Sequence, residues 1–163
     1  MLLTLLATAV RAPVIPLIGS IEGVHLGWTI KEELIPIYGE PFKSVGGHPD
    51  GRWTWTVTGN LLSVEHFDYS ERGSVVHDVL VKLDPAGEAV RVARWQLSGG
   101  FTREKCKSLL APLGEPKVNV EGTLKWSATG VAWLSNQMQP YREWELELRF
   151  EKDRLVVVHG LCQ

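Results

Sequence analysis

Gly27-Trp28-Thr29-Ile30-Lys31-Glu32-Glu33-Leu34-Ile35-Pro36-Ile37-Tyr38-Gly39-Glu40-Pro41 is the stretch on which the reading of this chain turns, because residues 100–116 repeat its form. The second copy opens on Gly100-Phe101-Thr102 and closes on Gly114-Glu115-Pro116. Both copies begin with Gly, an aromatic residue and Thr, run through charged and aliphatic residues, and stop at Gly-Glu-Pro. The openings are 73 residues apart and the closings 75. Matched ends at a near-constant period are the sequence signature of a duplicated unit.

Each copy reads as a short helix. Thr29 followed by Glu32 has the spacing of a capping box, in which hydroxyl and carboxylate each satisfy a free backbone N–H. Ile30 and Leu34 share a face, with Lys31, Glu32 and Glu33 opposite, and Pro36, Gly39 and Pro41 limit the helix to two or three turns. In the second copy Thr102 is the N-cap, Glu104 lies near the positive helix end, and Leu109, Leu110 and Leu113 face inward.

Strand-like runs follow each helix. Trp53, Trp55 and Val57 alternate with Thr54, Thr56 and Thr58, a period of two. Further runs cover 61–69, 75–83 and 89–97, separated by turns at Gly59-Asn60, Glu71-Arg72-Gly73 and Asp84-Pro85-Ala86-Gly87. After the second helix come runs at 124–127 and 131–135. Then Trp144, Leu146, Leu148 and Phe150 alternate with Glu143, Glu145, Glu147, Arg149 and Glu151, and a β-branched run closes at 155–161. The hairpin at 80–92 is matched with that at 146–158. The expectation is an α+β chain: two tandem helix-plus-four-strand repeats forming one antiparallel sheet, with helices on one face and the other face open. Residues 1–20 are a lead-in, 21–97 the first repeat and 98–163 the second.

Gly-aromatic-Thr, a short amphipathic helix, Gly-x-Pro, a Trp strand and a closing hairpin together resemble the BamE/SmpA-like unit. Two such units in tandem resemble the β-lactamase-inhibitor protein and its relatives. The likeness covers roughly residues 21–162. It implies an inhibitory, immunity-type or sequestering module of bacterial kind, which blocks a protein partner with its open sheet face. The chain departs from the pattern where the family's Met is replaced by Trp28 and Phe101. It also lacks the disulfides inside each repeat and the lipidated Cys of envelope lipoproteins.

Composition narrows the classes. The chain has 163 residues, 44% of them hydrophobic and 22% charged, with a net charge of −2. That balance gives no general attraction to nucleic acid, and no Lys/Arg cluster tracks phosphates. The apolar run at 2–10 is too short to span a bilayer, so membrane insertion is not expected. It reads as a degraded signal peptide or a mis-called start. Cys106 and Cys162 show no metal-ligand spacing. They read as one cross-repeat disulfide or as two buried thiols, the latter favouring a reducing, cytoplasmic compartment. Secretion or periplasmic export remains the alternative if the first residues are a signal.

Seven Trp are the most informative side chains, and about half are expected in the core. Trp53 and Trp55 share a face and so go in or out together. With Trp133 and Tyr141 they are candidate anchors for a partner. The acidic stripe Glu143, Glu145 and Glu147 lies opposite the apolar face of its strand, where it can steer a basic partner. His48 and Asp50 sit in the Gly-rich loop 46–51, which can reach into a partner's cleft. For catalysis only His66/Asp68 and His77/Asp78 are suggestive. Residues two apart on a strand share a face, so His66 and Asp68 can pair, whereas His77 and Asp78 point oppositely. No phosphate-loop, HExxH or GxSxG motif occurs. The expectation is a non-enzymatic protein-binding module with no cofactor and no metal. The alternatives are a cell-envelope assembly component or, as the lesser reading, a small-molecule binder or hydrolase.

Overall fold

The computed structural model describes residues 16–46, 50–70, 73–132 and 139–163. His48, Trp133 and the apolar run at 2–10 lie outside the described residues, as do the side chains of Asp50, Asp68 and Tyr141.

The chain first forms β1 (Ser20–Ile21) and β2 (Val24–His25), then a 3-10 turn at Lys31–Leu34 that continues into α1 (Ile35–Tyr38). Four strands follow: β3 (Lys43–Gly46), β4 (Asp50–Val57), β5 (Asn60–Ser70) and β6 (Gly73–Lys82). Two short strands, β7 (Val90–Val92) and β8 (Trp95–Leu97), lead to α2 (Arg103–Leu110). The last four are β9 (Lys117–Val118), β10 (Leu124–Ala132), β11 (Gln139–Glu151) and β12 (Arg154–Cys162). Eight strands make one sheet in the order β3-β4-β5-β6-β12-β11-β10-β9. All its pairings are antiparallel. A small second sheet has the order β2-β1-β7-β8.

Alternation along the strands gives the large sheet two unlike faces. Register places Trp55 opposite Leu62, Leu62 opposite Val81, Val81 opposite Val158, Val158 opposite Leu148 and Leu148 opposite Leu124. None of these six is more than 2% exposed, so an apolar rung runs unbroken across six strands. The two helical segments and the small sheet cover this face. Ile21, Val24, Leu26, Val90, Val92 and Leu97 are all buried in the same core.

Each helical segment is docked through an indole. The Trp55 Nε1–H donates to the Gly39 carbonyl at 2.9 Å, and the Trp126 Nε1–H donates to the Gly114 carbonyl, also at 2.9 Å. A buried indole needs such an acceptor. Gly39 and Gly114 have φ of 76° and 87° with ψ of −169° and −176°, a region essentially reserved for Gly. Gly-Glu-Pro thus ends both helices by turning the backbone so that a carbonyl faces a sheet Trp. Between them, the Trp144 Nε1–H donates to the Leu26 carbonyl at 3.2 Å.

Three expectations change. Thr29 does not cap the first helix. Its Oγ1 accepts the His25 N–H at 2.9 Å, and the Glu33 carboxylate accepts the N–H of Ile30, the N-cap, at 3.2 Å. The cause is tertiary. The Gly27 N–H donates to Val76 O at 2.7 Å and the Val76 N–H donates to Thr29 O at 2.9 Å, which ties this turn to β6 and takes the Thr29 carbonyl from the helix. Thr102 does cap α2, accepting the Lys105 N–H at 3.3 Å: there the matching strand residue, Leu155, donates its N–H to Phe101 O one residue earlier, which leaves the Thr102 carbonyl to accept the Cys106 N–H at 3.0 Å.

The run at 89–97 is not a strand of the large sheet. It is the β7–β8 hairpin of the small one, and the extra strand beside the Trp strand is β3, which precedes it. Asn60, 2% exposed, aims the crossing: its amide donates to Glu88 O at 2.8 Å and its carbonyl accepts the Asp84 N–H at 3.0 Å. The hairpin partner of β6 is therefore β5, which overturns the match drawn between 80–92 and 146–158. The runs at 124–127 and 131–135 belong to one strand, β10, as far as the described residues extend.

Cys106 and Cys162 are separate, buried free thiols, each pushed up to about 12 by burial. No described helix is long and apolar enough to cross a membrane.

Two Ala substitutions separate backbone strain from packing. Gly114→Ala meets nothing within 4 Å, so its cost is conformational; about 1–3 kcal/mol of lost stability is expected. Gly160→Ala drives a Cβ into Ile21 and to 2.9 Å from Leu26 Cδ1; it should also lose about 1–3 kcal/mol, through overpacking. Urea midpoints measure both, and in double-mutant cycles Leu26→Ala should cost less in the Gly160→Ala background than in the wild type, and the same in the Gly114→Ala background as in the wild type.

Candidate functional site: the open face of the sheet

The opposite face of the large sheet is covered by no described element. Its side chains form rows that cross the strands. One row runs Lys43, Thr54, Ser63, Leu80, His159, Glu147, Lys125 and Lys117. The next runs Val45, Arg52, Glu65, Asp78, Leu161, Glu145 and Ser127. Leu61, Leu80, Val157 and Leu161 are half-buried aliphatics set among these charges.

Glu143, Glu145 and Glu147 stand on this face as expected, because Trp144, Leu146 and Leu148 between them are 0% exposed. Only Glu143 has no ion pair among the described residues. Lys125 faces Glu147 across the ladder but reaches diagonally to Glu145, at 2.5 Å. Glu147 instead takes Arg149 at 3.0 Å and His159 Nδ1 at 3.6 Å. The His159 Nε2 lies 2.8 Å from Asp78 Oδ2, joining β12 to β6. The hydrogen bond that His159 donates to Asp78 raises the His159 pKa above its ordinary 6.5, against burial, which lowers it. Burial pushes the Glu147 carboxyl up, but Arg149 and His159 together bring it below its ordinary 4.5. Lys125 is raised, chiefly by its hydrogen bond to Glu145.

The described tryptophans of the large sheet, Trp53, Trp55, Trp126 and Trp144, face the other way. Trp55, Trp126 and Trp144 are at most 3% exposed, and Trp95 is 7% exposed. Trp53 and Trp55 do go together, and they go in. Trp53 packs edge-on against Trp55 and His66, with Lys31 Nζ 5.3 Å from its ring. Neither is an anchor on the open face, because Thr alternates with Trp on β4 and the larger apolar face meets the helix. Asp50 begins β4 and Tyr141 lies within β11.

At the β3 end the open face deepens into a cleft of ≈ 700 Å³, lined by Phe42, Lys43, Val45, Gly51, Arg52, Thr54, Leu61, Ser63, Glu65, His66 and His77. A bulge makes it. Glu65 pairs with Asp78 and His66 with Val76, which leaves His77 as the extra residue on β6. The simple alternation expected for His77 and Asp78 therefore fails. His66 and His77 reach one cleft, while Asp78 is engaged by His159. Arg52 pairs with Glu65. Among the described residues no group of three or more His, Cys, Asp or Glu could hold a metal ion.

Sequence reading missed the Asp78–His159–Glu147–Arg149 cluster, whose members come from three strands. The two alternations that place Glu147 and His159 on one face were visible; the register that aligns them was not. Comparison with family models, with curated proteins and with solved structures found no match.

The cluster makes stability pH-dependent. His159 is raised, so its contribution is complete below pH 6.5 and fades as pH rises through its own pKa. Glu147 is lowered, so its contribution is complete above 4.5 and fades as pH falls. Urea unfolding of the wild type and His159→Gln should therefore differ most near pH 6, by about 1.5–3 kcal/mol for a charged hydrogen bond, and converge towards pH 9.

Proposed function

We propose that the chain is a non-enzymatic protein-binding module, an inhibitor or immunity-type protein that blocks its partner with the open face of the large sheet. The observation that carries this reading is a broad strand surface, free of described cover, on which half-buried Leu61, Leu80, Val157 and Leu161 are interleaved with charges fixed in place by one another. Apolar patches rimmed by oriented charge suit protein recognition: the aliphatics supply buried area and the charges select the partner. The anchors in this reading are aliphatic rather than the indoles that the sequence suggested.

Within the same proposal, the fold is a tandem duplication of BamE/SmpA-like units in the arrangement of the β-lactamase-inhibitor protein. Three correspondences support it. A helical segment ending at a Gly carbonyl receives a Trp Nε1–H in each half. A short edge strand, β3 or β9, follows each. The last strand that each half gives to the large sheet, β6 and β12, meets the other at the middle of that sheet. The cleft containing His66 and His77 gives the small-molecule reading its specific support and keeps it as the second choice.

A tagged chain should capture a protein from extracts of its own source organism. Leu161→Arg, on the open face, should abolish capture by replacing an aliphatic contact at the centre of the face with a bulky charge between Asp78 and Glu145. Val120→Arg, at a residue 105% exposed near the far edge, should leave it intact. Equal capture by all three proteins would sink the reading.

A further inference from the structure

The cleft at the β3 end combines a bare apolar wall with an uncommitted cation. Phe42 and Val45 are 63% and 52% exposed, large apolar side chains left in water at its rim. Leu61 completes that wall, and the Thr54 and Ser63 hydroxyls, 3.2 Å apart, form a polar floor. Two cations, Lys43 and Arg52, face one carboxylate, Glu65, in this lining. Glu65 is taken by Arg52. Lys43 has no ion pair among the described residues and lies on an exposed strand.

β3 is also the terminal strand of the sheet, and the described residues leave its far edge unpaired. All four of its residues are exposed. Exposed edges of this kind accept an extended segment by main-chain pairing, with alternate side chains supplying specificity. Lys43 and Val45 are two residues apart and share the cleft face with Thr54 and Arg52. A strand laid beside them places residues of its own, two apart, on that same face.

We propose that this edge binds an extended peptide segment of the partner that carries an acidic and a large apolar residue at positions i and i+2. The carboxylate meets Lys43. The apolar side chain lies against Val45. The inference rests on the protein-binding reading and specifies what the partner must present.

The test uses the full-length ¹⁵N-labelled chain and three acetylated, amidated peptides: Thr-Asp-Thr-Phe-Thr, Thr-Lys-Thr-Phe-Thr and Thr-Thr-Asp-Phe-Thr. The first should shift amides of β3 and β4 saturably, with a Kd of about 1 mM. The Lys peptide loses the charge contact, and the third puts its acid and ring on opposite faces; each should bind about three-fold or more weakly. Lys43→Glu, at an exposed edge position, should reverse the order of the Asp and Lys peptides, and its own spectrum reports that it is folded. Equal binding of all three, shifts outside β3 and β4, or an unchanged order with Lys43→Glu would overturn the proposal. Shifts by 3-phenylpropionate without shifts by the peptides would assign the cleft to a small acid and overturn it too. If the peptides fail while Leu161→Arg still abolishes partner capture, the edge proposal falls and the protein-binding reading stands.

Discussion

The pairing of β6 with β12 is the constraint on which the molecule depends. Five residue pairs, from Lys82 with Val157 to Asp78 with Leu161, join two groups of four strands into one sheet. Every layer crosses at this seam. Beneath it, Gly160 leaves room for Ile21 and Leu26 to lie directly on the backbone. Within it, Val81 and Val158 carry the apolar rung from one group to the other. Above it, the bond between His159 and Asp78 closes the seam on the open side. A seam of antiparallel strands with no connecting turn needs such reinforcement, because nothing local holds its register.

The two faces of the sheet do different work because of what covers them. The inner face is too wide for two short helical segments, one of only four α-helical residues. The small sheet fills the gap, which explains why residues before the first helix and after β6 are so apolar. With the inner face satisfied, the outer one is free to carry charge. Its acids and bases are tied to one another across strands, which fixes their positions but leaves their outer surfaces hydrated. Function in this reading therefore sits on side chains that contribute modestly to stability.

The sequence was most informative where period and punctuation agree. Trp144, Leu146 and Leu148 alternate so regularly with the glutamates that both faces of β11 could be assigned at once. Thr102 and Gly114-Glu115-Pro116 marked the ends of the second helical segment closely. What stayed hidden depends on distant partners. Thr29 has the right spacing for a cap, but pairing with Val76 takes its backbone away. The run at 89–97 is a good strand by composition, yet Asn60, far behind it in the chain, decides which sheet receives it. Trp53 and Trp55 could be placed on one face but not assigned to the core, since nothing local says which side the helix will cover. The His159 cluster needed the register of β6 against β12, and no local pattern encodes it.

The late closure of that seam has a consequence for how the protein is made. Asp78 and His159 are 81 residues apart in sequence. While the ribosome extends the chain, β6 is finished early and its outer edge waits for β12, which follows every other described strand of the sheet. During that interval a ten-residue ribbon rich in Val offers its backbone to any neighbouring nascent chain. A terminal truncation that removes β12 would make the interval permanent, so losing the final nine strand residues should harm the first half of the molecule as much as the second.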